Sequence, residues 1–276
     1  MADTAPSLRL NLTPAVRYVL RLADTCLIHA QRLAEWCGHG PVLEEDIALT
    51  NMALDHLGVA RALLSHAGVL ESRQGQARET PLSEDQLAFL RDEADYLNLT
   101  LVEQPQRRSS AHAPGGDFAD TVLRNFLLAT WLRLIWARLL VSGDEQLAAI
   151  AGKALKEARY HERHAADWVL RLGDGTDESA RRMQAAIDRA WPYTHEMFAD
   201  DAVDLAAAAT GLGPARATVQ AEWQAAVGAV LADARLSTPA ITPFMSTGTQ
   251  GRHSEHMGFI LAEMQALQRQ HPGGRW

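Results

Sequence analysis

A chain of 276 residues that is 47% hydrophobic and 22% charged has apolar surface enough for a sizeable core, and no composition shift divides it into parts. Its net charge of −8 argues against a nucleic-acid partner, whose phosphates need a basic face. Cys26 and Cys37 are too few for a disulfide framework or a thiolate zinc site, and MADTAPSLRL carries no apolar signal core, so the expected location is the cytoplasm.

Helical periodicity dominates and strand alternation is nearly absent. Residues 1–13 read as a flexible N-terminus. The first helix opens at Thr13-Pro14, a capping residue followed by proline, and runs to about Trp36, where Gly38, Gly40 and Pro41 break it. A second spans about Leu43–His66, with Glu44, Glu45 and Asp46 in the first turn where the helix dipole favours acids. Gly68–Pro81 reads as a polar connector, and Ser83 starts a shorter helix to about Leu101. The segment 103–116 reads as a surface loop.

Asp117 to about Val141 is the most apolar helix; its run FLLATWLRLIWARLLV is broken by Arg133 and Arg138 and is too short to span a bilayer comfortably. Glu145–Leu172 follows, then Asp177 to about Phe198 with a break at Trp191-Pro192. Further helices are expected over about Pro214–Ala234 and, capped by Ser254, to about Gln270, with a loop at 236–252 between them. Two long antiparallel hairpins, joined by a crossover, give an all-α, ferritin-like bundle of four long core helices plus additional helices, forming one domain over 1–276.

Such a bundle can hold two metal ions if two helices each give a Glu and two each give Glu-x-x-His. The cations need four hard carboxylate donors, with positions left open for O₂. Asp24 is the candidate on the first helix. On the second, Asn51, Asp55, Gly58 and Ala62 form a stripe, but the partner three residues after Asp55 is Gly58, and His56 is turned about 100° away. Glu157 and His161 share a face of the Glu145–Leu172 helix in a register unlike the usual motif. Between Asp120 and Asp144 there is no Asp, Glu or His, so one carboxylate position is missing. Arg124 stands on that helix and is expected to set a guanidinium beside Asp55 or Glu157, an ion pair in place of a metal. Asp55 and Glu157 are accordingly expected to be buried and paired, with Arg124 or His161 as partners.

His161-x-x-His164 is a further metal-like pair, and His253, Glu255 and His256 cluster at the last helix's start, where Ser254 suits capping. No phosphate loop or nucleophile elbow is present. Of 26 basic residues only Lys153 and Lys156 are lysines; arginine suits interface ion pairs, although genome composition gives the same bias.

The blocks RLADTCLIHAQRLAEWCGHGPVLEEDIALTNMALDHLGVAR, RDEADYLNLTLVEQP, DFADTVLRNF, KALKEARYHERHAADWVLRLGDGTDES and HSEHMGFILAEMQALQRQHPGGRW resemble the C subunits of phenylacetyl-CoA epoxidases, over roughly Pro14 to Trp276. RRSSAHAPGG, within 107–116, is longer than that family's pattern. The resemblance implies a ferritin-like subunit with a degenerate di-iron site (remnants Asp24, Asp55, Gly58, Arg124, Glu157 and His161), no cofactor of its own and no catalytic residues. It implies pairing with a di-iron catalytic A subunit, alongside an NAD(P)H-dependent reductase and small accessory subunits, in O₂-dependent epoxidation of phenylacetyl-CoA. The alternatives are a self-sufficient di-iron oxygenase or oxidase, or a ferritin-type iron-binding protein.

Overall fold

The computed structural model describes residues 7–74, 80–105, 117–240, 243–272 and 274; the long segment at 107–116 and the first six residues of the N-terminal stretch lie outside the described residues. Helix α1 (Pro14–Ala34) starts where Thr13 accepts a hydrogen bond from the Val16 amide and proline fills the first helical position. Helix α2 (Leu43–Gln74) runs back along it, and the two pack extensively. The second hairpin is α4 (Phe118–Leu139) and α5 (Glu145–Gly173), which follow the short helix α3 (Glu84–Phe89). Together α1, α2, α4 and α5 form a ferritin-like bundle, closed where α2 packs on α5.

The cap of α4 is Asp117, which accepts from the Ala119 amide, while Asp120 reaches back to the Asp117 amide at 2.8 Å. Helix α6 (Asp177–Ala190) stops where expected, and a tight 3₁₀ turn, Trp191–Phe198, continues through Pro192. Helix α7 (Ala202–Ala209), capped by Asp201, is an element that periodicity alone leaves unassigned. Helix α8 (Gln220–Asp233) and α9 (Glu255–Gln270) complete the fold. Among the described residues no helix is long and apolar enough to cross a membrane.

Two boundaries differ from expectation for tertiary reasons. Helix α2 passes through Gly68 instead of ending at His66. There the Leu82 carbonyl presses on the helix, and a Cβ on residue 68 would lie 2.1 Å from its oxygen, so the glycine serves a close approach instead of a stop. The helix expected to reach Leu101 ends at Phe89. Beyond it the Leu97 and Leu99 amides donate to the Asp24 carboxylate (2.9 Å) and the Thr25 hydroxyl (3.2 Å), and side chains of α1 thereby replace the carbonyls of a continuing helix.

Helix α9 is anchored by a buried group that the sequence places only as a cluster. Both nitrogens of His253 face acceptors, Glu103 Oε1 at 2.6 Å and the Tyr96 carbonyl at 2.9 Å, so both must donate and the ring is an imidazolium. Glu103 also accepts from Asn98 Nδ2 and the Ser254 amide. Burial opposes the charge on His253, but the Glu103 hydrogen bond and charge outweigh it and hold the histidine above its ordinary pKa. Because the folded value is raised, this contribution is complete below the unfolded value of about pH 6.5 and is lost as pH rises through the folded one. Amide exchange at the start of α9 should therefore accelerate at alkaline pH beyond its intrinsic pH dependence, and His253→Gln should remove the excess. An α9 indifferent to pH in the unaltered protein would contradict this anchor.

Candidate functional site

The bundle does not gather the candidate residues into one site; it separates them. Asp24, from the middle of α1, is fully buried and is held by Arg91, whose two terminal nitrogens both reach its carboxylate. Arg91 is itself fully buried, its guanidinium 4.2 Å from the centre of the Tyr96 ring, and it donates further to the Leu87 and Asp95 carbonyls. The Asp24 carboxylate is thus occupied within the protein. The cation that balances a buried bundle acid is Arg91 from the segment after α3, not Arg124.

Arg124 is also buried, but it donates to the Gln104 carbonyl, and its charged neighbours are Arg32, Asp120 and Glu35. The expected pairing with Asp55 or Glu157 is not formed, and helix geometry explains why. Those carboxylates lie level with Leu132 and Trp136 on α4, eight residues or more beyond Arg124 and so at least about 12 Å along the axis. Burial, and then the nearby Arg32 charge, bring the Arg124 pKa down to about 9.

A second polar group lies between α2 and α5. Asp55 accepts from His161 Nε2 at 3.0 Å, the partner expected for it. Its side chain is nevertheless 39% exposed, so it stands at the rim of the bundle and is not buried as expected. Glu157 points to the same place, and its only ion-pair partner among the described residues is Lys153 at 3.6 Å. Burial first, and then the Asp55 charge, raise the Glu157 pKa. Burial also lowers that of His161, against the pull of Asp55, so a neutral imidazole donating to a carboxylate describes the contact. His164 belongs elsewhere, beside Glu45 at 3.1 Å.

Two residues of this group do not stand out in the sequence. His56 is buried, and its ring lies 4.9 Å from that of His161 and 4.9 Å from that of His29, giving a file of three imidazoles from α5, α2 and α1. The stripe drawn through Asn51, Asp55, Gly58 and Ala62 is the rim and outer face of α2. Gly58 is exposed, with nothing within 4 Å of where its Cβ would be, so it is not the core-facing position taken for a lost ligand. The inward arc runs instead through Leu49, Met52, His56, Val59 and Leu63, and its spacing is the signal that marks His56.

This group does not make a di-metal donor set. It offers two carboxylates, while α4 presents Leu132 and Trp136 and α1 presents Cys26 at the same level. The void among them is about 10 Å³, room for one water at most and not for two cations with bound oxygen. Among the described residues no three His, Cys, Asp or Glu side chains converge as a metal ion requires. At the other end of α4, Glu255 and His256 line a surface groove with Asp117, Asp120, Arg124 and Arg189. Arg189 is already paired there with Asp120 through two 2.9 Å hydrogen bonds.

Comparison with known proteins accords with this architecture. The profile of the family described as "Phenylacetic acid catabolic protein" matches residues 1–276. A curated relative from Escherichia coli (strain K12), the C subunit of 1,2-phenylacetyl-CoA epoxidase, is 46% identical over 259 residues, covering 94% of this chain and 98% of its own length. The chain belongs to the phenylacetic acid catabolic protein family.

The two acids should respond very differently to removal. Asp24→Ala strands a fully buried guanidinium and should cost about 3–5 kcal/mol in denaturant unfolding. Asp55→Ala removes a half-exposed partner of a neutral histidine and should cost no more than about 1 kcal/mol. Equal losses would refute the assignment of Asp24, and not Asp55, as the buried charge. The histidine file gives a pH signature opposite to that of His253. Burial holds His56 and His29 well below their ordinary values, and the nearby Arg124 charge adds to the effect at His29. Their stabilising contribution is present above the unfolded value of about pH 6.5 and is lost as pH falls from there toward the folded values. The melting temperature should fall with acidification below about pH 6.5, less steeply in His56→Gln than in the unaltered chain; identical slopes would contradict it.

Proposed function

We propose that this chain is the non-catalytic structural subunit of a multicomponent phenylacetyl-CoA epoxidase, pairing with and stabilising a di-iron catalytic A subunit in aerobic phenylacetate breakdown. The reading starts from the family to which the chain belongs and from a relative that is a named subunit of that epoxidase. The observation that carries it further is the makeup of the bundle centre. At the level of Asp55 and His161 the fourth helix offers Leu132 and Trp136, and the carboxylate of Asp24 is held by Arg91. The donor set that would let this chain activate O₂ by itself is missing from those positions, which favours assigning the oxygen chemistry to a partner.

A subunit of this kind acts through its surface and its stability. The A subunit, an NAD(P)H-dependent reductase and small accessory subunits are the partners on this reading, and an obligate pairing with A should bury on the order of 2,000 Å² or more. The catalytic subunit produced without this chain should be inactive or poorly soluble, and adding the chain should restore turnover of phenylacetyl-CoA. A double variant, Glu157→Gln with His161→Gln, should support turnover in proportion to the folded, assembled complex. Full epoxidase activity without the chain, or loss of turnover in the double variant with normal assembly and stability, would overturn the proposal.

A further inference from the structure

Helix α2 is apolar on two opposite sides. Its inner arc fills the bundle, while Leu43, Ile47, Leu54 and Leu57 stand outward, 73%, 52%, 59% and 41% exposed. At 100° per residue these four fall within an arc of roughly 80°, an apolar stripe interrupted by Thr50. A surface helix needs only one apolar face to fold. Tyr160, 46% exposed on α5, lies on the outer side of the neighbouring helix.

The flank of the stripe is acidic. Asp55 and Glu157 line one small recess from adjacent helices, and the Oε2 atom of Glu157 is buried with no hydrogen-bond partner. Lys153, the cation nearest to Glu157, is held at 3.6 Å by a side chain that is 75% exposed. The first turn of α2 adds the exposed Glu44. Carboxylates from two helices beside an apolar stripe complement a basic side chain on an apolar surface.

We propose that the outward face of α2, with its rim on α5, is the docking surface for the partner subunit, and that the partner presents an apolar helix face carrying a lysine or arginine directed at Asp55 and Glu157. The proposal rests on the reading of this chain as a subunit that pairs with a catalytic partner, and adds where and by what chemistry. The recess between α2 and α5 then has a second use: a cation arriving from outside completes the polar group that His161 and Lys153 satisfy only in part. Gly58, in open space on the outer side of α2, leaves room for a close approach.

The test uses the full chain and the catalytic A subunit, co-purified and titrated against each other. Leu54→Asp and Gly58→Trp alter exposed positions, so the isolated variants should keep the melting temperature of the parent while their affinity for the A subunit falls at least about tenfold. Asp55→Asn with Glu157→Gln should weaken binding and flatten its dependence on salt. Phe259→Asp, 72% exposed on α9, should bind as the unaltered chain does. Hydrogen exchange of the unaltered complex should show protection over 43–58 and 153–164. If the unaltered chain binds the A subunit while Leu54→Asp and Gly58→Trp bind equally well and protection falls elsewhere, this surface is wrong and the subunit reading stands. If the unaltered chain does not bind the A subunit, the subunit reading fails with it. If the chain instead forms a dimer that Leu54→Asp dissolves, the occupant is a second copy and the proposal is overturned.

Discussion

Asp24 and Arg91 place two opposite charges where no water reaches either side chain. Such a pair persists only if every remaining lone pair and N–H is satisfied, because the desolvation cost of each ion is several kcal/mol. The segment that carries Arg91 meets that demand, with the Leu87 and Asp95 carbonyls accepting from the guanidinium, and α9 packs onto it. Asp24 accepts the Leu97 amide in addition to the guanidinium, the Tyr96 ring covers Arg91, and Gln265 of α9 donates to the Arg91 carbonyl and to the Tyr96 hydroxyl. The helix that opens the bundle, the irregular segment after α3 and the last helix are therefore fixed to one another by a single charge balance. The same balance occupies both Asp24 oxygens with donors from the protein.

The remaining polar residues of the bundle divide by depth. His29 and His56 lie far enough inside that burial keeps them neutral, whereas Asp55 sits at the rim and keeps its contact with solvent. His161 bridges the two, donating outward to Asp55 while its ring packs on His56. This gradient runs from the bundle interior to the rim between α2 and α5. The opposite end of the molecule uses the reverse arrangement, an imidazolium at His253 kept charged by Glu103. Stability thus depends on histidines of opposite preference, one set failing in acid and the other in alkali.

Much of the architecture is legible in the residues because the long helices carry their own punctuation. Thr13-Pro14 and Ser254 cap α1 and α9 as their spacing indicates. What the residues conceal is decided by contacts distant in sequence. Gly68 looks like a break until the Leu82 carbonyl is placed against it, and the segment after Phe89 looks helical until its amides are seen bound to Asp24 and Thr25. The helix α7 is readable in principle, since Asp201 precedes an alanine-rich run, but its length of 8 residues gives little periodicity. The site is harder to read for a physical reason. A helix apolar on both sides offers two apolar stripes of similar strength, and the line through Asp55 and Gly58 lies at the rim between them, which leaves His56 and His29 unmarked. The absence of acids from the helix after Asp120 depends on no register, and the placement of Leu132 and Trp136 opposite Asp55 gives it a location.

The proposed function requires that the polar interior of this bundle hold no di-iron centre of its own. Anaerobic titration of the purified chain with ferrous iron, read by metal retained after gel filtration and by melting temperature, addresses it without the partner. Substantially less than one retained iron per chain and no shift in melting temperature are expected. Retention of two irons per chain with a marked rise in melting temperature, abolished by Glu157→Gln with His161→Gln, would contradict it.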